Sequence, residues 1–479
     1  MTGTKEKQKV TLEQGLTMLY FVIYLVVTLT IALNQPLNDT FPSLCNPPDE
    51  HSRYKVPLYI CNHGTLPTGF EEELFSGDCK WTYGFYTLLP YMVQGYVMRF
   101  VDLFTDSPLT LLYAARLVNV AIGFIMAYIV LLLGKKMFRD SRTRWLFCCL
   151  ITFLPQSLFL HTYVNPDSMC LLSTALMLYG LICGYQDGFS CKSCAFLTVG
   201  VILCALSYYN AYGFILGSMV LFCAYFLEQK NGKWHYDVKQ FLKKGIPICV
   251  IVLLCISWSF IRNYNLYEGD FIGLTTMQNF IKSNGIARDT YASRGEPLTA
   301  LLFKPNFLPK TAVSFIANYG SGTLYAPIPV YLFYLLLFLT GILSMVFVRS
   351  GQAKTASGKE NGVQMLAGGK TLDEKLRKTP FHGRLFHGTM IFCIAMPLFL
   401  LIRYAYTVDF QAQGRYIMPC IIPLMYYVSR GLEKLPLWRD ASQKRKNILS
   451  AVVLAGILIS LFLTVYISAL PYYMDASVL

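Results

Sequence analysis

Residues 17–33 read TMLYFVIYLVVTLTIAL, an apolar run without a charged side chain. Residues 447–468 form a second run of similar length and character. About 20 apolar residues are needed to cross a hydrocarbon core roughly 30 Å thick. Because that core holds no water, the backbone must satisfy its hydrogen bonds within the segment, so each run is predicted to be a helix. The chain is therefore predicted to be an all-α polytopic membrane protein.

The composition agrees with this prediction. Of the 479 residues, 54% are hydrophobic and 14% are charged, and the mean hydropathy is +0.45. So small a charged fraction does not cover the surface of a soluble globule of this size. Ten to twelve spans fit the apolar blocks, and the best fit has about eleven: 17–34, 111–133, 145–161, 168–185, 193–208, 211–227, 246–262, 328–348, 386–404, 416–430 and 447–468.

The distribution of basic residues gives an orientation. With the N-terminus in the cytoplasm and the C-terminus outside it, roughly two thirds of the 41 Lys and Arg residues lie in cytoplasmic segments, as the positive-inside rule requires. The net charge of +14 then reflects topology and an anionic inner leaflet rather than nucleic-acid binding. This orientation assigns 35–110 to a first outer loop, 263–327 to a second large outer loop and 349–385 to a flexible cytoplasmic linker.

The first outer loop is predicted to contain interfacial helices. The semi-apolar stretch 85–104 carries Arg99 and Asp102, which favours a helix lying along the membrane surface over a span. The same loop contains three cysteines, Cys45, Cys61 and Cys79. One disulfide is possible among them, which would leave one free thiol, and the sequence does not indicate which two would pair.

Ionisable residues recur at the outer ends of the predicted spans. A charge inside the bilayer costs about 2.5–3.5 kcal/mol on insertion scales, whereas one at a helix end reaches water. Each of these residues, taken alone, is therefore explained as an interfacial charge in contact with water. Together they indicate a site on the outer face, where acids supply a base or hold a metal and arginines hold phosphate. Nucleotide sugars and ATP are cytoplasmic, so the phosphate expected there belongs to a polyprenyl lipid.

Four short motifs resemble the GT-C superfamily of membrane glycosyltransferases, which use polyprenyl-phosphate sugars. The most similar groups are bacterial families of the aminoarabinose-transferase and protein-mannosyltransferase type and a related group of bacterial predicted membrane proteins. The resemblance extends over roughly residues 10–470. The motifs are Asp49-Glu50-x-x-Arg53-Tyr54, Tyr113-Ala-Ala-Arg116-Leu-Val-Asn119, Asn165-Pro-Asp167, and Gln413-Gly-Arg415-Tyr416 with Pro419.

The resemblance implies an inverting sugar transfer at the outer face of the bacterial inner membrane. Asp49 is expected to act as general base on the acceptor, with Glu50 as an alternate base, a positioning residue or part of an interfacial acidic turn. Arg415 is the first choice for the donor phosphate. The reserves for that phosphate are Arg403, Arg262, Arg116 and Arg53.

Further residues are expected to position the acceptor or a divalent metal. Asp167 either joins Asp49 at such a metal, binds the acceptor or caps the fourth span, and His51 contributes or is simply solvated. Aromatic residues of the outer loop either stack on sugar rings or belong to the interfacial belt: Tyr54, Tyr59, Trp81, Tyr83, Phe85 and Tyr86. The remaining acceptor or metal-positioning residues are Asn165, Gln413 and Tyr416.

The expected partners are membrane lipid, a lipid-linked sugar donor and an acceptor that is a lipid, a glycan or a protein. Two other functions remain open: a transporter or flippase of lipid-linked saccharide, and an outer-face glycan ligase or polymerase. Transporters carry ionisable groups near mid-span, whereas the predicted span interiors contain almost none. This difference favours surface chemistry.

Overall fold

A computed structural model describes residues 2–37, 46–77, 80–85, 87–284, 289–303, 306–348 and 380–475. Within these ranges, seven helices are long and apolar enough to cross a membrane: Thr11–Asn34, Pro108–Met137, Asp167–Asp187, Val238–Leu266, Ile328–Phe347, Phe381–Thr407 and Gln443–Asp475. Three shorter apolar helical segments join them: Cys191–Ser207, Tyr209–Tyr225 and Phe307–Ile316. The predicted class, an all-α polytopic membrane protein, is confirmed.

The helices are numbered in chain order. They are α1 Thr2–Asn34, α2 Glu50–His63, α3 Leu89–Asp102, α4 Pro108–Met137, α5 Ser141–Thr152, α6 Pro155–Phe159, α7 Asp167–Asp187, α8 Cys191–Ser207, α9 Tyr212–Tyr225, α10 Val238–Leu266, α11 Leu274–Ser283, α12 Leu298–Phe303, α13 Phe307–Ile316, α14 Ile328–Phe347, α15 Pro380–Thr407, α16 Ile421–Lys434, α17 Pro436–Arg439, α18 Gln443–Phe462 and α19 Leu470–Asp475. A π-helical turn, Leu463–Ala469, joins the last two.

The remaining elements are short. Two antiparallel hairpins pair β1 (Leu227–Lys230) with β2 (Lys233–Tyr236), and β3 (Asn318–Tyr319) with β4 (Leu324–Tyr325). Three 3-10 turns lie at Glu72–Leu74, Tyr209–Ala211 and Gly414–Cys420.

Every predicted span has a helical counterpart, but two of them are interrupted. The predicted span 145–161 is divided into α5 and α6. Pro155 begins α6, and proline both lacks a backbone N–H and disfavours helix in the residue before it; Leu154 is extended. The predicted span 416–430 begins with the 3-10 turn that contains Pro419 and becomes α-helical only at Ile421.

Helix α7 lies at the centre of the molecule. In its most apolar stretch 94% of the residues are buried, against 6% for α10, which lies at the lipid-facing periphery. Two glycines let α8 approach α7 closely: a Cβ on Gly180 would lie 2.5 Å from the Leu197 nitrogen, and one on Gly200 would lie 2.7 Å from the Met177 nitrogen. Small residues allow such close helix packing where lipid supplies no hydrophobic drive.

The two long segments that the sequence assigns to the outside pack on each other. Helix α3 packs on α2 within the stretch predicted to hold interfacial helices, and Phe85 packs against Tyr267 and Met277. Cys61 is a buried thiol in α2. Three predictions fall on residues outside the described ranges: pairing through Cys45 or Cys79, a role for Tyr86, and the linker over 349–379. Residues 380–385 belong to α15.

Candidate active site

A cavity of about 1110 Å³ opens among the ends of several helices. Its walls come from the start of α2, residues 76–77, 81–83 and 87–91, the turn after α8, α11, the end of α15 and the segment 408–416. The positive-inside assignment puts these ends on the outer side of the membrane. Segments far apart in sequence thus share one cavity.

Asp49 enters this cavity from the residue that precedes α2. Its backbone is left-handed, with φ 63°, a conformation that Asp tolerates better than most residues. The carboxylate does not cap α2, and the side chain is 36% exposed. It is therefore available to a molecule inside the cavity.

Two arginines hold the carboxylate of Asp49. Arg415 donates to Oδ2, and Arg53 places its Nη2 3.6 Å from the same oxygen. Enclosure by the protein alone raises the pKa of Asp49, but the charges of Arg415 and Arg53 and hydrogen bonds from Arg415 and Tyr83 outweigh it and lower the pKa. Asp49 is thus a carboxylate at neutral pH.

Arg53 also binds the second acid. Its Nη1 lies 3.3 Å from Oδ2 of Asp167, and its guanidinium carbon lies 4.9 Å from the ring centroid of Tyr83. Asp167, Arg53, Asp49 and Arg415 form a chain of alternating charge, named here the charge quartet. Its four formal charges cancel. The structure brings together three of the segments that the sequence singled out.

The start of α7 orients Asp167. The side-chain oxygen of Asn165 accepts hydrogen bonds from the backbone N–H of Asp167, at 2.8 Å, and of Ser168, at 3.2 Å. Asn165 thus caps the helix, which leaves the carboxylate of Asp167 for Arg53. The amide nitrogen of Asn165 donates to the carbonyls of Leu160 and Tyr163. Both polar groups of the Asn165 side chain are thus engaged within the protein.

A glycine holds Arg415 in place. A Cβ on Gly414 would lie 2.1 Å from the backbone nitrogen of Phe315, and the Gly414 N–H donates to Ser314 Oγ at 2.6 Å. The next residue, Arg415, is 2% exposed and also bonds the carbonyl of Pro48 and the hydroxyl of Tyr416. Arg415 lies behind Asp49 rather than in the cavity wall. Its expected contact with the donor phosphate is revised to a role in holding Asp49.

Glu50 and Arg116 lie outside the cavity, and the expectations for both are revised. They form a fully buried ion pair, with Arg116 Nη2 2.6 Å from Glu50 Oε2 and Nε 2.9 Å from Oε1. The Val164 N–H also donates to Glu50, and Arg116 donates to the carbonyls of Ala32 and Gln35. The pair fastens α2 and α4 to the end of α1, so its hydrogen bonds are not available to a substrate.

Two more expected residues lie away from the cavity wall. Arg262 donates to the carbonyl of Pro67 at 2.6 Å and so fastens the end of α10 to the first outer segment. Tyr54 packs in the apolar cluster between α2 and α3. Neither lines the cavity.

Arg403 is the cation most open to a ligand. It lines the cavity near the end of α15 and is exposed. Within the described part of the chain no hydrogen bond or ion pair engages its guanidinium. Lys55, which also lines the cavity, donates to the carbonyl of Phe75, and Arg53 is held between two acids. Arg403 therefore replaces Arg415 as the first candidate for a phosphate contact.

Polar and aromatic side chains complete the wall. His51, Gln413 and Tyr416 line the cavity. Gln413 donates to Gln411, which donates to Asp409. Of the predicted aromatics, Trp81 and Tyr83 line it. Four further tyrosines line the cavity that the sequence did not single out: Tyr91, Tyr208, Tyr209 and Tyr404. Three of them, Tyr208, Tyr209 and Tyr404, lie at predicted span ends, where a tyrosine is also typical of the interfacial aromatic belt.

The two acids do not fit a divalent metal. Arg53 already occupies the position between Asp49 and Asp167, so an ion there would meet a guanidinium charge. Among the described residues, no group of three or more His, Cys, Asp or Glu could hold a metal ion. The expectation that Asp49 and Asp167 share a metal is therefore set aside.

Comparison with known proteins adds the family. The model of the family described as "Predicted membrane protein (DUF2142)" matches residues 71–425, most of the chain. The chain belongs to this DUF2142 family. The matched region includes Asp167, Arg403 and Arg415, whereas Asp49 and Arg53 precede it. Among curated proteins, no sequence matches this family member.

Solved structures show the fold of this DUF2142 protein. The oligosaccharyltransferase of Archaeoglobus fulgidus, solved with a tethered acceptor peptide, aligns with a TM-score of 0.51 and 14% identity over 95% of this chain and 55% of that chain. The same enzyme with Zn and sulfate gives 0.50 and 13%, over 95% and 53%. The chain thus has the GT-C fold of this enzyme and spans about half of its length.

A third structure is more distant. ArnT from Cupriavidus metallidurans, bound to undecaprenyl phosphate, aligns with a TM-score of 0.41 and 12% identity over 96% of this chain and 78% of that chain. At that TM-score nothing is carried over from it.

Proposed function

We propose that the chain is an integral membrane glycosyltransferase that moves a sugar from a polyprenyl-phosphate donor to an acceptor at the outer face, with inversion at the anomeric carbon. One observation carries the proposal. The carboxylate of Asp49, fixed through Oδ2 by two arginines, shares a cavity with the guanidinium of Arg403, which no described residue engages. The oligosaccharyltransferase fold supports this class of reaction.

Asp49 is suited to receive a proton in that reaction. A general base must lie within hydrogen-bond reach of the proton it accepts, and the Asp49 side chain lines the cavity and is 36% exposed. The acceptor oxygen or nitrogen attacks the anomeric carbon while its proton passes to Asp49. Because the lowered pKa keeps Asp49 ionised, its carboxylate can accept that proton.

Arg403 is suited to the leaving group. The bond from the anomeric carbon to the phosphate oxygen breaks, and the phosphate gains charge as it leaves. A fixed cation stabilises that charge, and a guanidinium binds phosphate through two parallel hydrogen bonds. Apolar residues next to Arg403, Leu400 and Leu401, line the same wall and suit the first isoprene units of a lipid.

The proposal is tested by exchanging the carboxylate. In Asp49→Asn the cavity and Arg403 remain but no base is present, so sugar transfer falls by about 100-fold or more while the donor lipid still binds. Mass spectrometry of the lipid retained in mild detergent measures binding, and conversion of that lipid to polyprenyl phosphate measures transfer.

The matched control is Asp102→Asn, which removes an exposed carboxylate outside the cavity and should leave both measurements unchanged. Full transfer by Asp49→Asn would remove the base assignment. Wild-type protein that retains no polyprenyl-phosphate sugar and transfers none would remove the proposed function.

A further inference from the structure

Arg53 holds a position that joins the two acids of the site. Its two terminal nitrogens lie 3.6 Å from Asp49 Oδ2 and 3.3 Å from Asp167 Oδ2. The acids come from the residue before α2 and the first turn of α7, which are far apart in the sequence. One guanidinium therefore links two carboxylates, as a bridging metal ion would.

The surroundings keep the guanidinium there. Arg53 is 3% exposed, and its guanidinium carbon lies 4.9 Å from the ring centroid of Tyr83, a distance at which a cation is attracted to an aromatic face. Its Cα is fixed in α2, four residues after Asp49. A small divalent ion needs oxygens at about 2.0–2.6 Å, and the guanidinium stands in that space.

The balance of charge in the site also disfavours a divalent ion. Two carboxylates are balanced by Arg53 and Arg415, and Arg53, Asp167 and Arg415 are almost fully buried. A divalent ion would add two positive charges beside two arginines, where a low dielectric strengthens the repulsion. An ion is favoured only if the guanidinium leaves.

We propose that Arg53 is a built-in counter-ion that takes the place of a divalent cation between Asp49 and Asp167, so that the site works without a metal. Arg53 is a positioning residue: it holds Oδ2 of Asp49 and ties it to the buried start of α7. The catalytic consequence rests on the proposed function, whereas the metal-binding consequence does not.

The test is a titration of EDTA-stripped, full-length protein in detergent with Mn²⁺, read by the electron paramagnetic resonance signal of the free ion. Wild-type protein binds no Mn²⁺ above the detergent background. Arg53→Ala leaves two carboxylates without their shared cation, so it binds one Mn²⁺, at least about tenfold above the detergent background. Arg53→Ala combined with Asp49→Asn loses that binding again.

The matched control is Arg99→Ala. Arg99 donates to the carbonyl of Cys61 and lies outside the cavity, so its loss should leave Mn²⁺ binding as in the wild type. Thermal unfolding checks that each variant is folded. If Arg53→Ala does not fold, the wild-type titration decides alone.

Two results would overturn the inference: stoichiometric Mn²⁺ binding by the wild type that Asp49→Asn abolishes, or binding by Arg53→Ala that persists in the double variant. In the activity assay, wild-type transfer should be unchanged by EDTA, and a loss that Mn²⁺ restores would also overturn it. If the wild type transfers no sugar with or without metal, the proposed function fails, while the titration still decides the metal question.

Discussion

At the scale of residues, the site depends on which acids and arginines neutralise each other. Asp49 and Glu50 are adjacent, yet one faces the cavity and the other is fully buried against Arg116. Arg415 and Arg403 are also close in sequence, yet Arg415 forms an ion pair with Asp49 and Arg403 is exposed. The charges left available to a substrate are therefore few and identifiable.

The pKa of Asp49 leads to a pH prediction. Arg415 and Arg53 hold it below the ordinary value of 3.8, so in the wild type this carboxylate stays ionised down to that pH and transfer is lost only below it. In Arg415→Ala the charge and hydrogen bond of Arg415 are gone, that of Arg53 remains, and burial still raises the pKa. The acid limb of the pH–rate profile should move to higher pH, within a scan from about pH 3 to 8.

The control for that scan is Arg294→Ala. Arg294 pairs with Asp289 and Glu296 outside the cavity, so its loss should leave the acid limb where it is in the wild type. An unmoved limb in a folded, active Arg415→Ala variant would contradict the role given to Arg415.

Arg403 should govern donor affinity. A hydrogen bond to a charged group contributes about 1.5–3 kcal/mol, so Arg403→Ala should raise the KM for the lipid-linked donor by roughly 10- to 100-fold, and Arg403→Lys by less. Arg384→Ala, at the opposite end of the same helix and exposed, is the matched control. Equal donor KM values for Arg403→Ala and Arg384→Ala would exclude the contact.

At the scale of elements, the packing of α7 on α8 supports the site. Asp167 begins α7, and the turn after α8 enters the cavity wall. The glycines at 180 and 200 permit the close approach of these two helices. A change in the packing of α7 on α8 should therefore alter the geometry of the charge quartet.

Gly180→Ala tests this packing. A Cβ at Gly180 would lie 2.5 Å from backbone, so the helices must separate; we expect a loss of about 1–3 kcal/mol, measured as a lower melting temperature in detergent. Gly388→Ala is the matched control, since Gly388 is also helical and nothing lies within 4 Å of its Cβ position. Equal melting temperatures for the two variants would contradict the packing role.

At the scale of the whole molecule, orientation remains a prediction from the basic residues. The open turn at Gly232 should face the cytoplasm and the one at Gly295 the outside; a Cβ at either glycine would meet nothing within 4 Å. An epitope tag inserted at Gly295 should bind antibody on intact spheroplasts, and one at Gly232 only after the membrane is opened. The reverse pattern would place the cavity in the cytoplasm.

Much of this architecture follows from the sequence, because apolar length and the positions of Lys and Arg are local signals. The convergence of Asp49, Asp167 and Arg415 was also expected, from the order of short motifs. The sequence did not predict that Glu50 would lie apart from Asp49, because this depends on the left-handed backbone at Asp49 and on a partner, Arg116, that follows 66 residues after Glu50. The position of Arg415, which contacts Asp49 but does not line the cavity, likewise depends on tertiary packing at Gly414.

The two ends of the cavity differ in how firmly they are held. Asp167 stands on α7, whose most apolar stretch is 94% buried, whereas Arg403 stands on α15, where the figure is 33%. A substitution near Arg403 therefore disturbs few neighbours, while one near Asp167 is felt through the interior. The end of the cavity at Arg403 should therefore tolerate sequence change more readily than the end at Asp167.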